Sequence, residues 1–136
     1  MLTNLVIDDD KTLNVVAGLI MPGPELFSGE PESVKLHTEH KTWVANSFLA
    51  KDVPSGINEI KYHAWDKIYL DYDIVQHKGS MVTDFLKENR NRIPNHLYLI
   101  TLNPYGRLTM LNAMQPFYNQ VSTINNLVIH LSERKS

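Results

Sequence analysis

Apolar residues along this chain gather into short runs, and several of those runs end in polar or acidic residues. Leu2 to Ile7 is an apolar run stopped by Asp8-Asp9-Asp10, which predicts a buried strand. Ile68 to Ile74 is rich in β-branched and aromatic residues and carries Asp71 and Asp73 near its end, which predicts a second, central strand. His96 to Leu102 predicts a third, tipped by Thr101-Leu102-Asn103, and Leu127 to Leu131 a last one. Val34-Lys35-Leu36 is a weaker run and predicts a short strand. Between these runs the apolar spacing turns helical. Lys11 to Ile20 predicts a helix with Asp10 as N-cap, and Glu39 to Ala50 one capped by Thr38. Ser80 to Asn91 predicts a helix with Met81, Val82, Phe85 and Leu86 inward. Arg107 to Tyr118 predicts another, broken at Pro116. Met21 to Ser33, Pro54-Ser55-Gly56, Val75 to Gly79 and Asn103 to Gly106 read as loops or turns. Strands alternating with helices predict an α/β protein with a parallel sheet covered on both faces.

Composition narrows the class. A chain of 136 residues holds one domain with a sizeable core and is too short for two ordinary ones. Hydrophobic content of 43% with 21% charged residues is that of a soluble globular protein. The net charge of −2 gives no reason to expect strong binding to duplex nucleic acid, although Lys87, Arg90, Arg92 and Arg107 could form a local basic patch. The absence of cysteine excludes disulfide and thiolate chemistry. No apolar run approaches the roughly 20 residues of a membrane span. The N-terminus lacks the basic region of a signal peptide, so a cytoplasmic protein without membrane partners is expected.

Acids at the end of a buried strand are costly unless partnered. Open α/β sheets bind ligands at the carboxyl ends of their strands. If the first and central strands are neighbours, Asp8, Asp9 and Asp71 converge into a hard-oxygen set that suits Mg²⁺ and, through it, a phosphate. Strand periodicity sends Asp73 to the side of Asp71, provided the strand persists that far. The stretch Thr101-Leu102-Asn103-Pro104-Tyr105-Gly106-Arg107 is a second candidate. Pro104 fixes the turn, Gly106 permits close backbone approach, the helix start favours an anion, and Arg107 could hold a phosphate in bidentate fashion. His77, in the loop after the central strand, is the histidine placed for acid–base work. No zinc spacing, P-loop, nucleophile elbow or dinucleotide fingerprint occurs.

These residues resemble a known family. Leu5-Val6-Ile7-Asp8-Asp9-Asp10 and Ile68-Tyr69-Leu70-Asp71 resemble the first and third strands of receiver domains of two-component signalling. There, paired acids bind Mg²⁺ and the acid ending the third strand accepts a phosphoryl group. Thr101 falls at the receivers' hydroxyl position, and His130 roughly where they place a lysine. A closer resemblance is to the receiver-like family proposed to process cyclic phosphates, marked by L-D-H-D-L and N-P-x-G-R-x-x-M. Here those segments are Leu70-Asp71-Tyr72-Asp73-Ile74 and Asn103-Pro104-Tyr105-Gly106-Arg107-Leu108-Thr109-Met110. The resemblance spans residues 3 to 118, with 21–33 as a loop insertion and 132–136 as a polar tail. It implies a receiver-like (flavodoxin-like) three-layer sandwich with a central parallel sheet of about five strands, forming a single domain. Two positions depart from the family: its histidine between the acids is Tyr72, and its His-Ser pair before N-P is Ile100-Thr101.

Four functions compete. The first is Mg²⁺-assisted cleavage of a cyclic or terminal phosphate on a nucleotide or RNA end. Asp8, Asp9 and Asp71 would hold the metal, Thr101, Asn103 and Arg107 the phosphate, and Asp71, Asp73 and His77 would supply the chemistry. The second is a module that binds or sequesters such a phosphate without turnover. The third is a stand-alone phosphoacceptor receiver, against which the missing lysine argues. The fourth is a small interaction protein whose acids are relics. A small domain without an attached output domain suits a phage or an operon partner. The oligomeric state is left open by the sequence.

Overall fold

The computed structural model describes residues 2–21 and 30–136. Six strands form one sheet: β1 (Asn4–Ile7), β2 (Ser47–Ala50), β3 (Lys67–Leu70), β6 (His96–Leu99), β7 (Tyr118–Ile124) and β8 (Val128–Arg134). Their order is β2-β1-β3-β6-β8-β7. The first four are parallel, whereas β8 runs antiparallel to both β6 and β7. A separate two-stranded hairpin, β4 (Asp73–Ile74) and β5 (His77–Lys78), follows β3. The helices are α1 (Leu13–Ile20), α2 (Glu30–Ala45), α3 (Val53–Tyr62), α4 (Ser80–Glu88) and α5 (Pro104–Met114).

The period of the strands divides the apolar residues between two layers. Leu5, Ile7, Ile68, Leu70, Leu97 and Leu99 face one core with Val53, Ile60, Val82, Leu86, Met110 and Met114 from α3, α4 and α5. Val6 and Tyr69 face the other with Val16, Ala17 and Trp43 from α1 and α2. Helices therefore cover both faces of a mostly parallel sheet, as the alternating pattern predicts. No described helix is long and apolar enough to cross a membrane.

Several local expectations change. Val34 to Leu36 lies inside α2, not in a strand. The helix expected to reach Ala50 ends at Ala45, where the main-chain N–H of Asn46 donates to Thr42 and Trp43 and turns the chain into β2. Ser47 to Ala50 then registers against Asn4 to Ile7, so sheet pairing overrides a composition that also suits a helix. Pro54-Ser55-Gly56 is the start of α3, not a turn: Asp52 caps Ser55 N–H, and proline fits the first helical turn. Thr12, not Asp10, caps α1. Residues 22–29 of the expected insertion lie outside the described residues, and 30–33 begin α2. The last strand is the inner member of an antiparallel hairpin and extends to Arg134, into the expected polar tail. Its partner β7 brings the strand count of the main sheet to six.

Candidate functional site

Strand order places the crossover point between β1 and β3, where the chain departs to opposite sides of the sheet. Ligands of open α/β sheets bind in the crevice at such a point. Asp8 follows β1 and Asp71 follows β3. The ladder continues one step past the strands, with Asp8 N–H donating to Ala50 O and Asp71 N–H to Ile7 O. Asp8, Asp9 and Asp71 each bring a carboxylate oxygen to within 4.8 Å of the others, the convergence expected from the sequence. Asp8 is fully buried and Asp71 only 6% exposed.

Each acid is held by its neighbours. Asp8 Oδ1 accepts the main-chain N–H of Asp10 and Lys11. Its Oδ2 accepts Lys11 Nζ at 3.0 Å, and the same ammonium lies 3.8 Å from Asp71 Oδ2. Asp71 Oδ1 accepts Tyr72 N–H. Burial raises the Asp71 carboxyl above its ordinary pKa, and the Asp8 charge adds to it, while Lys11 and a hydrogen bond from Thr101 oppose them. Asp9 Oδ2 accepts Val75 N–H, which ties the β4–β5 hairpin to the end of β1.

The second motif has a clear structural logic. Asn103 Oδ1 caps α5 by accepting Tyr105 and Gly106 N–H, and its Nδ2 donates to Asp73 Oδ2. Asp73 also accepts Lys78 Nζ at 2.9 Å. Both partners hold the Asp73 carboxyl below its usual pKa, Lys78 most strongly. A Cβ on Gly106 would lie 2.1 Å from Tyr72 Cγ. Glycine is therefore required where the ring of Tyr72 passes under the first turn of α5. Gly79 is constrained likewise, since a Cβ there would fall 2.1 Å from Asp71 O. The short segment Asp71-Tyr72 is thereby clamped between the hairpin and α5.

Among the expected site residues, Thr101 joins the acid cluster through Asp71, and its Oγ1 also accepts Asn103 N–H. Asp73 stands outside that cluster, because β3 ends at Leu70 and Asp73 opens the hairpin. Arg107 is half-buried on the first turn of α5, and its buried Nε has no hydrogen-bond partner among the described residues. His77 lines a recess with Lys51, Asp52, Pro54, Ser55, Val75 and Gln76. His130 does not reach the strand tips: it sits opposite Tyr98 within β8. The ammonium in the cluster comes from Lys11, which the sequence analysis passed over. Its signal was the spacing Asp8 to Lys11, three residues apart.

The donor set of Asp8, Asp9 and Asp71 suits Mg²⁺ by its chemistry, three hard oxygens with two of them on buried carboxyls, and the Lys11 ammonium lies against the same oxygens. The model of the cyclic-phosphate processing receiver domain family matches residues 3–116. The chain belongs to this family.

The receiver-domain match ends two residues before β7, so the β7–β8 hairpin lies outside it. No curated protein matches the chain. Among solved structures, the chain is similar to a protein of the NADB-Rossmann superfamily from Streptococcus agalactiae, with 13% identity and a TM-score of 0.40. The similarity covers 98% of this chain and 64% of that one.

Proposed function

We propose that this receiver-like domain binds a cyclic or terminal phosphate of a nucleotide or RNA end at the tips of β1, β3 and β6 and cleaves it with the help of Mg²⁺. The observation that carries the reading is the convergence of Asp8, Asp9 and Asp71 at the crossover point of the sheet. These three carboxylates would hold the ion, which when bound neutralises charge on a phosphoryl oxygen. Arg107, with an unpartnered Nε, would be the phosphate ligand on the protein side, and Thr101, its hydroxyl engaged by Asp71 and by Asn103 N–H, would orient Asp71. Asn103 supports them from behind, since its side chain is engaged by the α5 cap and by Asp73. Asp73, whose carboxyl is engaged by Lys78 and Asn103 outside the acid cluster, would position Asn103 rather than accept a proton. His77 drops out of this reading because its neighbours belong to the recess beside α3.

A second reading is retention of the phosphate without turnover. It is favoured by Tyr72, which replaces the family's histidine and is buried against Gly106. Incubation with Mg²⁺ and a 2′,3′-cyclic nucleotide, with calorimetry alongside, separates the two. Product formed by the wild type and not by Asp71→Asn supports cleavage; heat of binding without product supports retention. Neither heat nor product removes both.

A further inference from the structure

The two edges of the main sheet differ. β2 is a four-residue edge, short enough to offer little template for pairing. β7 is a seven-residue edge, and no described strand pairs with its outer side. Natural edge strands are usually blunted by lysine, proline or a covering element. Tyr118-Asn119-Gln120-Val121-Ser122-Thr123-Ile124 contains no proline and no charged residue, and Asn119 to Thr123 are all exposed. Val121 is 42% exposed although it registers opposite the buried Leu131.

We infer that β7 pairs antiparallel with β7 of a second copy of this chain, joining two six-stranded sheets into one across a two-fold axis. One observation, and the symmetry it permits, favour a second copy. An uncharged strand meets no like-charge repulsion from its own sequence, whereas it offers a charged partner strand no complement. Pairing along the whole strand of seven residues puts the fourth, Val121, on the axis opposite its mate, the self-matching arrangement of a two-fold interface. The half-exposed Val121 side chains then cover one another on the Leu131 side of the sheet. An interface made by one strand from each subunit is small, so the dimer is a weak one.

The chain has no cysteine, which makes a clean test available. Residues directly opposite in an antiparallel pair have Cα atoms about 4.5–5.5 Å apart, within disulfide range. Sedimentation velocity of the wild type is expected to show a dimer fraction that grows with concentration up to about 1 mM. Oxidised Val121→Cys is expected to run as a covalent dimer, whereas Tyr62→Cys, exposed on α3, stays monomeric under the same conditions. Val121→Lys, with its fold checked by circular dichroism, is expected to sediment as a monomer. A wild type that is monomeric throughout, a Val121→Cys that crosslinks no more than Tyr62→Cys, or a dimer that persists in Val121→Lys would each overturn the inference.

Discussion

Lys11 Nζ lies 3.0 Å from Asp8 Oδ2 and 3.8 Å from Asp71 Oδ2, so a lysine ammonium already neutralises part of the acid cluster at the strand tips. Two carboxylates at this depth would otherwise face each other with little solvent to screen them. A divalent cation entering among Asp8, Asp9 and Asp71 has to displace that ammonium, whereas Asp9 keeps an oxygen besides the one that accepts Val75 N–H. Lys11→Met keeps the length of the side chain and removes the competing charge. Mg²⁺ should then bind about tenfold more tightly, or about 1.4 kcal/mol by calorimetry. Weaker binding in Lys11→Met would mean that Lys11 supports the metal site rather than competes for it.

Asp71 connects function to stability. Its carboxyl pKa is raised by burial first and by Asp8 second. A raised folded-state pKa means that the stability tied to this group is present below the unfolded value and is lost as pH rises through the folded value. At neutral pH the ionised Asp71 is therefore a cost to the fold. Asp71→Asn should raise the melting temperature at pH 7 while abolishing turnover, and the stabilisation should shrink towards pH 4. A destabilised Asp71→Asn at pH 7 would contradict this account of the site.

Gly106→Ala tests why the first turn of α5 needs glycine. The added methyl meets the ring of Tyr72 at 2.1 Å, and Tyr72 is held between α5 and the segment that carries Asp71. Overpacking of this kind costs about 1–3 kcal/mol, read as a lower urea midpoint at unchanged slope. Because Tyr72 Cβ would itself lie 2.6 Å from the added methyl, the partner change has to be Tyr72→Gly, and the double variant should recover much of that loss relative to Tyr72→Gly alone. No recovery would mean that the clash lies elsewhere.

His130 predicts a pH effect away from the acids. It stacks on Tyr98, with ring centroids 4.1 Å apart, and its Nε2 shares a hydrogen bond with His96 Nδ1 at 3.0 Å. Burial lowers its pKa below 6.5, with the charges of His96 and Lys67 acting in the same direction. A depressed folded pKa contributes stability in full above the unfolded value, and that stability is lost as pH falls through the folded one. Chemical denaturation should show a fall in stability below about pH 6.5 that is reduced in His130→Phe. An identical slope in both proteins would remove His130 as the cause.

Much of this arrangement is visible in the chain itself. Leu5-Val6-Ile7 and Tyr69-Leu70 could be placed because an apolar run stopped abruptly by acids has few other uses. Their adjacency was a condition that the α/β pattern allows without fixing, and the β1–β3 pairing that meets it brings Asp8, Asp9 and Asp71 together. Asp73 was harder, since its side depended on where β3 ended, and β3 ends at Leu70. Lys11 and Val75 escaped notice because their partners are set by loop geometry rather than by period. β7 was missed because its exposed, polar residues carry no apolar alternation. The signal that could have found it is Asn125-Asn126, both with positive φ, which suits a tight hairpin turn.

The central claim is that the acids at the tips of β1 and β3 process a phosphate ester. It is tested most directly by ³¹P NMR of a 2′,3′-cyclic nucleotide incubated with the protein and Mg²⁺. The account predicts that the cyclic-phosphate resonance gives way to a monoester resonance with the wild type and persists with Asp71→Asn. A resonance that persists with the wild type, or that disappears equally fast with Asp71→Asn, would contradict it.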